Sequence, residues 1–135
     1  MKLEMTEGLY IHNEKIDTQH QVYFDLLNDI DFKANSGATK SRLISAFKEF
    51  VQFVRFHFMS EENQMLDSDY DGLKKHRAAH NYCLEGIKTK LFDYDNDAVT
   101  VQEIIDFAVE WFLMHVSAHD KEFGIFLASQ QPETA

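Results

Sequence analysis

The chain has 135 residues, of which 44% are apolar and twelve are Phe, a composition that suits one globular domain with a sizeable core rather than a disordered segment. Its formal net charge is −10, from 23 acids against 13 bases, so it offers no basic footprint for nucleic acid or for an anionic membrane surface. No apolar run approaches the roughly 20 residues that cross a bilayer. Residues 1–17 contain no apolar signal core, and a lone Cys83 excludes an internal disulfide, so the expected compartment is the cytoplasm.

Residues 1–16 read as a leading arm. The stripe His20, Tyr23, Phe24, Leu27, Ile30 then predicts a first helix, with Asp17 or Thr18 as its cap, ending at Asn35-Ser36-Gly37. Leu43, Phe47, Phe50, Val54, His57, Glu61 and Met65 predict a second helix capped by Thr39. The run from Asp67 to Gly72 starts like a calcium loop, but its twelfth position is Ala78 where a bidentate Glu is needed, so it reads as a turn. Leu73, His76, His80, Cys83, Ile87 and Leu91 predict a third helix, and Cys83 on that stripe reads as inert core. After the break at Asp93 to Asp97, Thr100-Val-Gln-Glu103 has the form of a capping box and opens a fourth helix through Val101, Ile105, Ala108, Phe112 and His115. Gln130 to Ala135 reads as a frayed tail. Four helices joined by short links imply an all-α, up-down-up-down antiparallel four-helix bundle. A non-helical N-terminal arm precedes it, and a short C-terminal helix follows a break near His115 to Asp120, all within a single domain over 1–135.

The apolar faces carry an unusual load: five of the seven His, joined by a Glu, and spread over all four helices. A buried imidazole or carboxylate without a partner costs several kcal/mol or changes its protonation. Five together need something that holds them, and a metal is the simplest such thing. His57-x-x-x-Glu61 and His76-x-x-x-His80 each put two donor groups one turn apart on one face. His115 and Asp120 are five apart, about 140° around a regular helix. They share a face only if the helix breaks or bulges, whereas His119 at i+4 is the ordinary mate of His115. Other chemistries lack their motifs: there is no His-Glu-x-x-His, no Gly-rich phosphate loop and no Glu-x-x-His pair of the ferritin type.

In this order, His20 within Ile16-Asp-Thr-Gln-His20, His57-x-x-x-Glu61, His76-x-x-x-His80 and His115-x-x-x-x-Asp120 resemble the hemerythrin signature, from about Glu7 to Phe126. The size is similar to that of single-domain bacterial members. The resemblance implies two irons (Fe2+/Fe3+) with a bridging oxo or hydroxo group. It implies that His76, His80 and His115 bind one iron, that His20 and His57 bind the other, and that Glu61 and Asp120 bridge them. The sequence departs from family habit at Met5, often Trp, at His12, often Gly, and at Phe123, often Tyr; the seven ligand positions do not depart. With this ligand set, two six-coordinate irons offer twelve positions, of which five His, two bridging carboxylates and one bridging hydroxide fill eleven. The open one is on the iron held by two His. Phe24 and Phe53, one turn from His20 and His57, and Trp111 and Phe112, just before His115, are candidates for lining a dry dioxygen pocket.

The expected function is reversible dioxygen binding by a carrier rather than by an enzyme. The alternatives are a dioxygen or redox sensor module and a di-iron oxidase or peroxidase acting on small molecules such as peroxide or nitric oxide. Read as complete from Met1, the chain leaves no output domain for a sensor. The expected partner is dioxygen, with no nucleic acid and no membrane insertion. The oligomeric state stays open.

Overall fold

The computed structural model describes residues 2–130. Its helices are α1 (Glu14–Asn35), α2 (Lys40–Asp67), α3 (Leu73–Asp95), α4 (Val101–His115) and α5 (Lys121–Ser129), with a 3₁₀ turn at Glu7–Leu9 and a π turn at Val116–Asp120. No strand occurs among the described residues, and no helix is long and apolar enough to cross a membrane. Helix α1 packs on α2 and α4, and α3 packs on α2 and α4, which closes the ring of an up-down-up-down bundle. Its core is aromatic and aliphatic: Tyr23, Phe47, Phe50, Phe112, Leu27, Ile30, Ile87 and Ile104 are all buried.

The caps explain where the helices start. Thr39 Oγ1 accepts from Arg42 N at 3.3 Å, and Thr100 Oγ1 accepts from Glu103 N at 3.1 Å, as the sequence anticipates. Helix α1 differs. Its cap is Asn13, whose Oδ1 accepts from Ile16 N at 3.2 Å, so the helix begins inside the stretch read as arm. Neither Asp17 nor Thr18 caps it. Asp17 lies in the first turn and turns back, accepting from Ile11 N at 2.9 Å and Asn13 N at 3.2 Å. The arm is also not wholly non-helical, because it contains the 3₁₀ turn. Of the tail, Gln130 follows α5 as a turn, and 131–135 lie outside the described residues.

The arm is fastened along α1 by side chains that stand in for a backbone partner. Leu3 N donates to Asn28 Oδ1 at 2.7 Å, Asn28 Nδ2 returns a bond to Leu3 O at 2.6 Å, and Met5 N donates to Gln21 Oε1 at 3.2 Å. His12 has φ of 63°, in the left-handed region that favours glycine. Behind it, α5 passes so close to the arm that a Cβ on Gly124 would sit 2.8 Å from the Ile11 carbonyl oxygen. Gly124→Ala is therefore expected to lower the melting temperature. The gain in helix propensity, about 0.5–1 kcal/mol, is smaller than an overpacking cost of roughly 1–3 kcal/mol. A thermal scan that shows the Ala variant equal or more stable would mean that the arm yields freely.

A candidate metal centre at one end of the bundle

Antiparallel topology decides where the inward polar residues meet. His20 lies early in α1, His57 and Glu61 late in α2, His76 and His80 early in α3, and His115 and Asp120 at the end of α4 and its π turn. An up-down-up-down order brings the start of the odd helices and the end of the even ones to the same end of the bundle. All seven residues are buried there, none more than 4% exposed.

The break expected near His115 is a π turn, and the chain stays helical through it. One extra residue in the turn absorbs about 100° of the 140° that separates positions i and i+5. Asp120 is thereby brought to the His115 side, with its Oδ1 3.0 Å from His115 Nε2. His119 stays at the margin, half-buried, its ring 5.2 Å from that of His115.

Two groups result. Donor atoms of Glu61, His76, His80, His115 and Asp120 all lie within 4.8 Å of one another, and so do those of His20, His57 and Glu61. Glu61 belongs to both. Its Oε1 approaches His76 Nε2 at 2.5 Å and His80 Nε2 at 3.2 Å, while its Oε2 faces His57 Nε2 at 3.6 Å. Asp120 is divided in the same way, with Oδ1 2.8 Å from His76 Nε2 and Oδ2 3.3 Å from His20 Nε2. Each carboxylate thus offers one oxygen to each group.

These atoms crowd together without satisfying one another. Both oxygens of Glu61, both nitrogens of His20, Nε2 of His80, Nδ1 of His115 and Oδ1 of Asp120 are buried without a hydrogen bond. Such a set is costly in a dry interior, and a cation between them satisfies the inward-facing donors. The protonation states agree. Burial pushes His57 down to about 4, and burial likewise lowers His115, so both are neutral. Burial and the Asp120 charge push Glu61 up, but His76, His80 and His57 outweigh them and hold it below the usual carboxylate value. Burial also works against the Asp120 carboxylate, yet His115, His20 and His76 hold it far lower still. Burial disfavours charge on His76, but Asp120 and Glu61 raise it to about 9. A metal bound by His76 Nε2 would displace a proton from that nitrogen.

The aromatic candidates divide between the groups. Phe112 meets the His20 ring edge-on at 4.9 Å, and Phe24 packs on Phe112 at 4.7 Å. Phe53 lies parallel to His57 at 6.4 Å. Trp111 is elsewhere, stacked on His115 at 4.3 Å in the other group. Sequence reasoning missed Phe58, which stacks on His80 at 3.8 Å. It also missed Gln19 and Glu62, whose side chains reach Nδ1 of His57 and of His80, each at 2.7 Å. Their only signal in the sequence is adjacency, Gln19 beside His20 and Glu62 beside Glu61. His12 stays exposed on the arm. Cys83 is buried away from both groups, and burial pushes its thiol well above the ordinary value.

Comparison with known proteins bears on the family and the fold. The sequence pattern of the hemerythrin HHE cation binding domain matches residues 12–124. A bacteriohemerythrin of Clostridium acetobutylicum is 27% identical over 116 residues, 82% of this chain and 89% of that protein. One of Ralstonia nicotianae is 24% identical over 132 residues, 97% of this chain and 93% of that protein. The crystal structure of a wild-type hemerythrin superposes with a TM-score of 0.83 over 95% of this chain and 99% of its own, at 22% identity, which speaks to the fold. With a family match that runs from the residue before the N-cap of α1 into α5, the chain belongs to the hemerythrin family of cation-binding domains.

Proposed function

We propose that this protein binds dioxygen reversibly at a pair of irons held at this end of the bundle, and that it acts as a carrier, store or donor of dioxygen. In this reading His76, His80 and His115 hold one iron, His20 and His57 the other, and Glu61 and Asp120 span the two. The observation that carries it is the division of both carboxylates, one oxygen toward each group of imidazoles. Imidazole with carboxylate is a donor set that suits iron. When bound, two adjacent ferrous ions with a bridging oxo or hydroxo group supply the two electrons that dioxygen accepts on binding.

The chain's residues do the rest. Three imidazoles face one side and two the other, so the His20/His57 side keeps a position for a small ligand. Phe112 and Phe24, both about 2% exposed, wall that side with apolar rings and exclude the water that would displace the ligand or admit oxidants. Helix ends rather than loops carry all seven groups, which keeps their spacing fixed.

Protein loaded with ferrous iron under argon is expected to hold about two irons per chain. Air should then produce a visible absorption band, and degassing should remove it over several cycles. A band that decays to a stable oxidised state, with substrate or peroxide consumed, would replace the carrier by an oxidase or peroxidase. Iron near one per chain would remove the paired site altogether.

A further inference from the structure

Behind the imidazoles, the two sides of the centre are built differently. On the α3 side, His80 Nδ1 lies 2.7 Å from Glu62 Oε2, and the other oxygen of Glu62 accepts from Arg77 Nε at 3.0 Å. On the α1 and α2 side, His57 Nδ1 lies 2.7 Å from Gln19 Oε1, and Gln19 Nε2 donates to Ser60 Oγ at 3.2 Å. An ionised carboxylate only accepts, so Glu62 calls for a proton on His80 Nδ1, which leaves Nε2, 3.2 Å from Glu61 Oε1, as the nitrogen a metal would take. The Gln19 amide places its oxygen on His57 Nδ1 and its nitrogen on Ser60, an arrangement that calls for the same tautomer on His57. Orientation is therefore alike on both sides, but charge is not. His80 leans on an anion and His57 on a neutral amide.

We propose that Glu62 and Gln19 are positioning residues that make the two halves of the centre electronically unequal. The Glu62 carboxylate strengthens His80 as a donor and favours the higher metal charge on the His76/His80/His115 side, while Gln19 orients His57 without adding charge. The proposal rests on the two-metal reading above. A partner that draws the Nδ1 proton makes an imidazole more basic, and removing such a partner typically costs 10–100-fold in metal affinity. Arg77 adds a control. Its guanidinium is about half exposed and shares the Glu62 carboxylate, so it competes with His80 for that charge. Phe58, stacked flat on His80, closes the other approach to the ring. The half beside Phe112 is the one whose outer partner is a neutral amide, and it is also the half with fewer imidazoles.

The test uses the full chain loaded anaerobically with ferrous iron. Iron affinity is read by competition with a chelator, midpoint potential by spectroelectrochemical titration, and folding by melting of the metal-free protein. Glu62→Ala is expected to lose on the order of 10–100-fold in affinity. Glu62→Gln keeps an oxygen that accepts from Nδ1; it should recover most of the affinity and raise the potential, because an anion that favours the oxidised state is gone. Arg77→Ala should lower the potential, because Glu62 is then left wholly to His80. Gln19→Glu should lower it too. Loss of the α2–α3 ion pair by itself would move Glu62→Gln and Arg77→Ala the same way. Shifts of equal sign, or unmoved potentials, overturn the proposal, as does wild-type affinity in Glu62→Ala. If Glu62→Ala does not fold, the opposed pair Glu62→Gln and Arg77→Ala still decides. Wild-type protein that takes up fewer than two irons overturns the two-metal reading, and the proposal with it. Two irons with an unmoved Glu62→Gln potential overturn the proposal alone.

Discussion

Glu61→Ala is expected to empty both halves of the centre at once. Glu61 is fully buried and is the one residue common to the two groups of donor atoms. Its removal takes an oxygen from each half and leaves His76 with Asp120, and His80 with Glu62, as the only carboxylate facing it among the described residues. Metal analysis after anaerobic loading should fall from about two irons per chain to less than one. Melting provides a second reading. A metal that binds only the folded chain adds about 2.7 kcal/mol at a free concentration of 100 times Kd, a rise on the order of ten degrees for a domain of this size. Wild-type protein should show that difference between metal-free and loaded forms, and Glu61→Ala should not. Asp120→Ala should behave similarly, because each of its oxygens also faces a different half. His119→Ala is the control. Its ring lies outside both groups, and iron content should stay near the wild-type value. Loss of iron in His119→Ala with retention in Asp120→Ala would reverse the assignment at the end of α4.

The second large effect is expected at Phe112. Its ring stacks on Tyr23 at 4.6 Å, meets Phe24 at 4.7 Å and stands edge-on to His20 at 4.9 Å. Phe112→Ala opens a cavity where the core meets the centre, at a cost of roughly 3–5 kcal/mol. The same cavity removes the apolar wall beside His20 and His57. Autoxidation, followed as irreversible loss of the air-induced band, should accelerate together with the fall in stability. Phe112→Leu separates the two effects, because it keeps an apolar wall and loses less volume. It should recover most of the stability and part of the protection. A Phe112→Ala protein that folds and autoxidises no faster than wild type would mean that water is excluded by other residues.

Much of this arrangement was legible in the sequence, because stripe positions and bundle topology are coupled. Spacings of three and four assign His20, His57, Glu61, His76, His80 and His115 to inward faces, and short links force the helices antiparallel. The end at which the residues meet then follows. Thr39 and Thr100 were readable as caps because each stands alone before an apolar stripe. Asn13 was not, since several polar residues precede the stripe of α1 and the competition among them is settled by the arm: Asp17 is occupied by the amides of Ile11 and Asn13. The i,i+5 spacing of His115 and Asp120 announced an irregularity without specifying its kind, because a break and a bulge both change the phase. Gln19 and Glu62 were illegible for a different reason. They lie beside the stripe, and whether such a residue turns toward a neighbouring helix depends on helix rotation, to which spacing is blind. The side of Trp111 was hidden for the same reason.

The π turn at Val116–Asp120 bears on how this chain can vary over evolutionary time. The extra residue shifts the phase of everything after it. It serves Asp120 at one end, and beyond it the buried Phe123 and the Gly124 contact with Ile11. Deleting one residue between 116 and 119 would restore a regular helix with ordinary backbone bonding. It would also swing Asp120, Phe123 and Gly124 about 100° away from their neighbours. A single reversal thus damages two unrelated surfaces together, the polar end of the bundle and the seam with the arm. A lineage that abandoned the centre would still meet the packing cost at the arm, since the Gly124 contact with Ile11 depends on the same turn. Substitution can then erase the site one side chain at a time, while the backbone keeps its shape.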